Sequence, residues 1–412
     1  MDTGDNKDFS HIKTEDFIPY FQPIIHTITR DILGYEVLGR MVQGESTKLS
    51  SLGTFFHEKT GNFPEINYID RIIREKAILH LKNSLEVTKL FFNIMPNILS
   101  QYHQGEEITP DEFHIIQLIE QHKIDKKNII IEITEEEFNG KVERLVGIVD
   151  LFRNYGFTIA IDDVGAGFSN LERIGYIHPD IIKVDIKIMR ESLSVASFRH
   201  VLEAISEMAH KLGSILLFEG IESEKELNLA LSMGASLLQG YYFSEPLKGF
   251  IEKETFSEDL KNQLEKYSGL RFLEIIEERT KQKKIIDSLN SAFYNIQILL
   301  DFPKNDLHSV IKQSLSKLPP EIESIFVTDP NGYQVSPGYF QSRDGVWSIH
   351  LEDIGNNYAW KPYFAKHKAD SYFFQRKWMV TRPLYDRENS SNYVIFTYSI
   401  TAAEIIVAKV LW

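Results

Sequence analysis

No cysteine occurs anywhere in the chain. That absence removes disulfides, thiolate nucleophiles, cysteine zinc centres and cysteine-attached haem or flavin from the possible chemistry. It fits a reducing cytoplasm, the expected location. Long apolar runs are missing too. No segment approaches ~18 consecutive apolar residues, and the N-terminal stretch mixes acids with Lys7, His11 and Lys13. Neither a signal peptide nor a membrane span is expected. Basic charge is scarce: 45 Lys and Arg face 59 Asp and Glu, a formal net charge of −14. Such a surface disfavours non-specific binding to nucleic acid or anionic lipid. An anionic ligand would therefore need a cation to meet it.

What is present suffices for two folded domains. The chain has 412 residues, 43% of them hydrophobic, room for one barrel of ~250 residues and a smaller partner. Residues 158–172 organise the first part: an apolar run ends in Asp162 and Asp163, passes Gly165 and Gly167, and a helical pattern resumes near Asn170. This predicts a buried strand, a tight loop and a helix start. Alternation along a strand would send the two aspartates to opposite faces. Around this stretch, strands and helices alternate. Strands are expected at 17–25, 32–40, 89–95, 128–133, 158–163, 181–186, 214–220 and 236–243, with the first two joined as a hairpin. Helices are expected at about 66–82, 110–122, 142–154, 170–175, 196–212 and 223–233. The spacing points to α/β architecture and a (β/α)8 barrel of TIM type.

Polar residues interrupt these strands near their carboxyl ends: Glu36, Asn93, Glu132, Asp162 with Asp163, Lys183 with Asp185, Glu219 with Glu222, and Gln239. In such barrels that rim builds the active site. Singly, each has a structural explanation: Glu36 or Glu132 could be a satisfied strand-end carboxylate, and Lys183 could merely pair with Asp185. As a set they are costly. Two carboxylates ~5 Å apart repel by roughly 3 kcal/mol at an effective dielectric of ~20, so cations must offset the cluster. Carboxylate and amide oxygens without histidine or cysteine favour a hard ion, magnesium or manganese. Two such ions bridged by one aspartate suit in-line displacement at a phosphodiester. The residues therefore describe a metal-dependent phosphoester hydrolase.

Glu36-Val-Leu-Gly-Arg40, Phe92-Asn93, Glu132-Ile-Thr-Glu135, Asp162-Asp163-Val-Gly-Ala-Gly167, Lys183-Val-Asp185, Glu219-Gly-Ile-Glu222 and Gln239-Gly-Tyr241 occur in this order. They resemble the ordered motifs of the EAL domain, the cyclic di-GMP phosphodiesterase, and Tyr20 to Ile24 and Phe243 to Pro246 resemble its two ends. The resemblance implies hydrolysis of cyclic di-GMP to linear pGpG at a site of one or two Mg or Mn ions. It implies Glu36, Asn93, Glu132 and Asp162 as ligands of the first metal, and Asp162, Asp163 and Glu219 as ligands of the second. Lys183 would contact the attacking water and phosphate, joining Glu219 and Asp163 in catalysis, while Glu135 would brace the loop after Asp163. Gln22, Leu38, Arg40, Gln239 and Pro246 would line the substrate side, with Arg40 on a phosphate oxygen.

Some positions depart from the family pattern. Val37 replaces the signature alanine, which should touch packing only. Val164, Ala166, Phe168 and Asn170 alter the loop that follows the paired aspartates. Since a misplacement of ~1 Å can cost ~100-fold in rate, a second function stays open: a cyclic di-GMP receptor with weak or no hydrolysis. No adjacent His-Asp pair of the histidine/aspartate phosphodiesterases, no Gly-Gly-Asp/Glu-Glu-Phe cyclase signature and no Gly-x4-Gly-Lys loop points to another cyclic dinucleotide chemistry.

The expected domains are a disordered tail at 1–14, the barrel at 15–252, a helical linker at 253–302 and a C-terminal α+β domain at 303–412. In the linker Phe272, Ile275, Ile286, Leu289, Phe293, Ile296 and Leu300 follow a three/four seam interrupted by Arg279 and Gln282, suited to pairing with a second copy, to packing on the next domain or to lying as an ordinary amphipathic helix on its own domain. Asp329-Pro-Asn-Gly332 predicts a hairpin turn, and strands are expected near 345–351, 371–376, 377–385 and 392–400. This domain resembles PAS-like or Cache-like sensors, which implies an unknown small-molecule or protein signal. Its aromatic residues, among them Trp347, Trp360, Phe364, Tyr372, Phe373 and Trp378, are expected mainly as core. A homodimer is expected, with neither nucleic acid nor a membrane span among the partners.

Overall fold

The computed structural model describes residues 12–43, 48–52, 63–94, 109–133, 142–165, 171–293, 306–373, 377–386 and 391–412. The chain forms two compact units, Met1–Gly269 and Leu270–Trp412, which divide within the helix Ser257–Phe293.

The first unit is a closed barrel. Its strands are β1 (Phe17–His26), β2 (Ile32–Gln43), β3 (Lys48–Ser51), β4 (Lys89–Ile94), β5 (Ile129–Ile133), β6 (Thr158–Val164), β7 (Ile181–Val184), β8 (Ile215–Phe218) and β9 (Leu237–Leu238). The order β1-β9-β8-β7-β6-β5-β4-β2 is closed by β1 pairing with β2, and β3 extends β2 outside the ring. From β2 through β4 to β9 the strands are parallel, while β1 runs antiparallel to both of its neighbours. A short turn after His26 enforces that reversal, because only antiparallel strands can be joined so tightly. The other strands are joined through helices, among them Phe63–Asn83, Val142–Tyr155 and Ala196–Leu212. Strands covered on both faces must be apolar throughout; β5, Ile-Ile-Ile-Glu-Ile, is buried at every position.

The interior is tiered. Ile24, Phe91, Ile130, Ala160, Ile181, Leu217 and Leu237 come from seven different strands and pack as one apolar cluster. Side chains repeat their facing every second residue. Two positions further along the parallel strands therefore stand Asn93, Glu132, Asp162, Lys183, Glu219 and Gln239. Because β1 runs the other way, its member of this polar tier is two residues before Ile24: Gln22, which pairs with Glu36 across the hairpin. Below Glu36, Gly34 leaves no room for a side chain, since a Cβ there would lie 2.5 Å from the Lys89 carbonyl oxygen.

The second unit is an antiparallel sheet of β10 (Ile322–Thr328), β11 (Gly338–Gln341), β12 (Trp347–His350), β13 (Met379–Val380), β14 (Leu384–Asp386), β15 (Ser391–Ser399) and β16 (Ile405–Leu411). The order is β12-β11-β10-β16-β15-β13, with β14 on β15. The turn after β10 forms as the sequence predicts: Asp329 Oδ1 accepts from the amides of Asn331 and Tyr333, and Gly332 has φ of +85°. Two expectations are corrected. In place of a strand at 371–376 stands the helix Pro362–Phe373, with proline in its first turn where no amide partner is needed; residues 374–376 lie outside the described set. The central strand β16 was not anticipated, because a terminal run such as Ile-Ile-Val-Ala-Lys-Val-Leu has no periodicity that separates strand from buried helix. Ile285, Leu289 and Phe293 of the long helix enter this unit's core, whereas Phe272 is 63% exposed; Ile296 and Leu300 fall outside the described residues. The aromatic residues divide similarly: Phe364 and Trp378 are buried, while Trp360, Tyr372 and Phe373 are exposed.

Candidate active site

Lys183 is the centre of the polar tier. Fully buried, its Nζ lies 2.8 Å from Asp162 Oδ1, 3.0 Å from Glu132 Oε1, 3.2 Å from Glu219 Oε2 and 3.7 Å from Glu36 Oε2. Pairing with Asp185 does not occur; that carboxylate caps the helix Ile186–Ser192 by accepting from the Lys187 amide at 2.6 Å. The expected alternation of Asp162 and Asp163 is also broken. Asp163 has φ of +56°, and the β6–β7 register shifts between Ile161 and Val164. This bulge turns both carboxylates toward one site, at the backbone cost that a left-handed non-glycine residue carries.

Two carboxylate triads result. Glu36, Glu132 and Asp162 each offer an oxygen within 4.8 Å of the others, and so do Asp162, Asp163 and Glu219, making Asp162 common to both. Asn93 joins the first: its Nδ2 donates to Glu36 Oε1 at 2.9 Å. Gln239 Nε2 donates to the other oxygen, Oε2, at 2.6 Å and to Gln22 Oε1 at 3.1 Å, and Gln22 Nε2 in turn donates to the Ser244 carbonyl at 3.2 Å. Glu36 is thus held from both sides by amides.

The electrostatics require more cation than the chain supplies. Burial pushes Glu132 and Glu219 well above the usual carboxylate range, against the pull of Lys183, and neighbouring carboxylates add to the rise. Burial and then Asp162 raise Asp163 to about 7. For Lys183, burial alone would lower the pKa, but Asp162, Glu132, Glu219 and Glu36 more than offset it, so the ammonium stays charged. Five carboxylates and one ammonium carry a formal charge of −4, which two divalent cations would neutralise. Among the described residues, the buried Asn93 Oδ1 and Glu132 Oε2 have no hydrogen-bond partner. Uncommitted oxygens among hard donors fit a divalent ion of the magnesium, manganese or calcium class.

The remaining predicted residues lie around this centre. Arg40 is half-buried, donates to the Gly39 carbonyl and lies over the Tyr20 ring, with its guanidinium carbon 5.7 Å from the ring centroid. Leu38 shares the strand face of Glu36 and Arg40, and Pro246 is partly exposed beside Leu247, which bridges to Phe21. Both side chains are apolar and make no hydrogen bond to the carboxylates. Val37 is buried in the core on the other side of the strand, so the departure there concerns packing. Glu135 and residues 166–170, including Ala166, Phe168 and Asn170, lie outside the described residues.

Sequence reasoning missed the braces. Arg190 meets Glu222 Oε2 at 2.5 Å and Glu226 Oε1 at 2.8 Å, while Glu226 Oε2 accepts from the amides of Glu222 and Ser223. These bonds fasten the loop that follows Glu219 to the helix that follows Lys183. Ser223-x-x-Glu226 was legible as a capping box; Arg190 carried no signal.

Comparison with known proteins identifies the family. The model of the EAL domain matches residues 8–246, and the model of an EAL-domain associated signalling protein domain matches residues 250–408. The chain belongs to the EAL-domain family. It is 30% identical over 360 residues to the uncharacterized EAL-domain containing protein YkuI of Bacillus subtilis strain 168, covering 86% of this chain and 84% of that one. The crystal structure of Bacillus subtilis YkuI in complex with substrate c-di-GMP and calcium superposes with a TM-score of 0.83 at 27% identity, covering 97% of each chain. The cyclic di-GMP phosphodiesterase PdeL of Escherichia coli strain K12 is 23% identical over 256 residues, which are 58% of this chain and 64% of that protein. In the described part of this EAL protein, no helix is long and apolar enough to cross a membrane.

Proposed function

We propose that the protein hydrolyses cyclic di-GMP to linear pGpG in a metal-dependent reaction. The observation that carries this is the pair of carboxylate triads sharing Asp162 around one buried ammonium. Glu36, Asn93, Glu132 and Asp162 would hold a first magnesium or manganese ion, and Asp162, Asp163 and Glu219 a second. Bound there, the ions would neutralise phosphate charge and lower the pKa of water. Lys183, within reach of both triads, orients the attacking water and stabilises the charge that develops on the phosphate. The water oxygen forms the new bond to phosphorus, the bond from phosphorus to the 3′ oxygen breaks, and that oxygen takes a proton. One water is consumed per pGpG. Glu219 and Asp163 would take up the water proton, which passes to the departing 3′ oxygen. Arg40 and Gln239, with Gln22, Leu38 and Pro246, form the substrate side, and Glu135 braces the loop after Asp163.

The test is product formation by the full chain with Mg2+ or Mn2+, followed by chromatography. Formation of pGpG that Glu36→Ala abolishes supports the reading. Tight cyclic di-GMP binding without product overturns it in favour of a receptor, for which the altered loop from Val164 to Asn170 is the motive.

We also propose that the second unit receives a small-molecule or protein signal and that the protein is a homodimer. The homodimer is supported by the exposed apolar side chains Leu270, Phe272, Leu273, Ile275 and Ile276 of the helix Ser257–Phe293. A monomer at micromolar concentration in analytical ultracentrifugation would refute it.

A further inference from the structure

One buried charge belongs to neither the carboxylate cluster nor the braces described so far. Arg74 lies on the helix Phe63–Asn83, whose inner face is Ile66, Ile69, Ile73, Ala77 and Ile78. A guanidinium among such neighbours is only 7% exposed, a costly placement unless its donors are engaged. One nitrogen, Nη2, is engaged twice: it is ion-paired with Asp70 one turn earlier, and it donates to the main-chain carbonyl of Asn93 at 3.2 Å. The nearby His114 does not compete as a cation, since burial and then Arg71 and Arg74 push it down to about 4.

The carbonyl is a telling choice of acceptor. The β2–β4 ladder ends at the pair Glu36↔Phe91, two residues before Asn93. Beyond it β4 has, among the described residues, no strand pairing on that side, yet this is where its amide side chain must be aimed. Asn93 has one amide nitrogen on Glu36 and an amide oxygen with no partner among the described residues. Its position is therefore set by Glu36 through the side chain and, along the backbone, by the β4–β5 ladder on one edge, where Asn93 pairs with Glu132, and by Arg74 on the other.

We infer that Arg74, steadied by Asp70, is a positioning residue that fixes the Asn93 main chain so that the amide oxygen is presented to a divalent cation. This rests on the metal-site reading above. Arg74 would touch neither cation nor substrate. Partners at this remove from a metal typically change its affinity by ~10–100-fold.

The sign of the effect separates positioning from simple electrostatics. Loss of a nearby positive charge should by itself strengthen cation binding, whereas loss of positioning should weaken it. Mn2+ binding to the full chain is measured by the loss of the free-ion electron paramagnetic resonance signal, without nucleotide and well below the melting temperature of each variant. R74M is expected to weaken Mn2+ binding by ~10–100-fold, and R74M combined with N93A to bind no more weakly than N93A alone. Binding by R74M as tight as wild type or tighter, or losses that add in the double variant, would overturn the inference. Should R74M not fold, R74K is compared in the same two backgrounds, where a loss that vanishes with N93A is again the supporting result. Wild-type protein that binds no Mn2+ would overturn the metal site itself. Binding that N93A weakens and the Arg74 variants do not would overturn only the positioning role.

Discussion

Replacing Lys183 by methionine tests the electrostatic reading of the site most directly. Methionine has nearly the same length, so the change removes a charge with little change in volume. Four carboxylate oxygens then lose an ammonium 2.8–3.7 Å away, and Glu132, with no exposed surface, is left facing Glu36 and Asp162. At an effective dielectric of ~20, each contact near 3 Å is worth about 5 kcal/mol before desolvation is charged against it. The net loss on removing one partner from a buried ionic cluster is smaller, about 3–5 kcal/mol. For a unit of this size that corresponds to a fall of ~10 °C in the melting temperature. The assay is thermal unfolding by circular dichroism in EDTA and again in Mn2+. The first unit of Lys183→Met should unfold ~10 °C early in EDTA and recover most of that difference with Mn2+. Combining it with Glu132→Gln, which removes the charge left unpaired, should restore part of the loss without metal. Equal melting temperatures for wild type and Lys183→Met in EDTA would refute the view that the carboxylates depend on a cation.

Further consequences follow from the supports of the site. Gln239→Leu removes one of the two amide donors to Glu36 and should weaken Mn2+ binding ~10-fold in a calorimetric titration; unchanged affinity would show that Asn93 alone holds Glu36. Gly240→Ala would set a Cβ 2.1 Å from the Ile221 carbonyl oxygen, and about 3 kcal/mol should be lost in urea unfolding, where a loss under 1 kcal/mol would contradict the packing described. Burial would raise the pKa of Glu226, but hydrogen bonds from Arg190 and from the amides of Glu222 and Ser223 hold it below its ordinary value. A depressed folded pKa means stability that is present above the unfolded value of about 4.3 and lost as pH falls through the folded one. Glu226→Gln should accordingly be less stable at pH 7, and its stability should fall less steeply on acidification; parallel acid limbs in urea titrations would refute this.

Much of the barrel could be read without coordinates, because buried parallel strands are continuous apolar runs and each run ended in one polar residue. Asn93, Glu132, Asp162, Lys183, Glu219 and Gln239 stood out against their neighbours for that reason. The pairing of Lys183 could not be read: Asp185 is nearer in sequence and shares its strand parity, but it turns away to cap a helix. Nor could Arg74 be found. It is an arginine at an inner position of an otherwise ordinary helix, and the main-chain carbonyl that engages it lies 19 residues further along the chain. In the second unit, β16 and the helix Pro362–Phe373 escaped because short apolar or aromatic segments are decided by what they pack against rather than by their own periodicity.

What the amino-acid sequence determined by itself is the inventory and its spacing: the alternation of strands and helices, the oxygen donors, the single lysine among them, and the turn chemistry at Gly332 and Ser223. These are local properties, set by side-chain period and backbone preference. Tertiary structure alone decided convergence. Closing the ring brought Gln239 beside Glu36 and Gln22, a bulge at Asp163 turned two adjacent carboxylates to one side, and burial made one ammonium the shared partner of four acids. Such effects depend on distances between residues far apart in the chain, and Coulomb energies and desolvation take their magnitude from those distances.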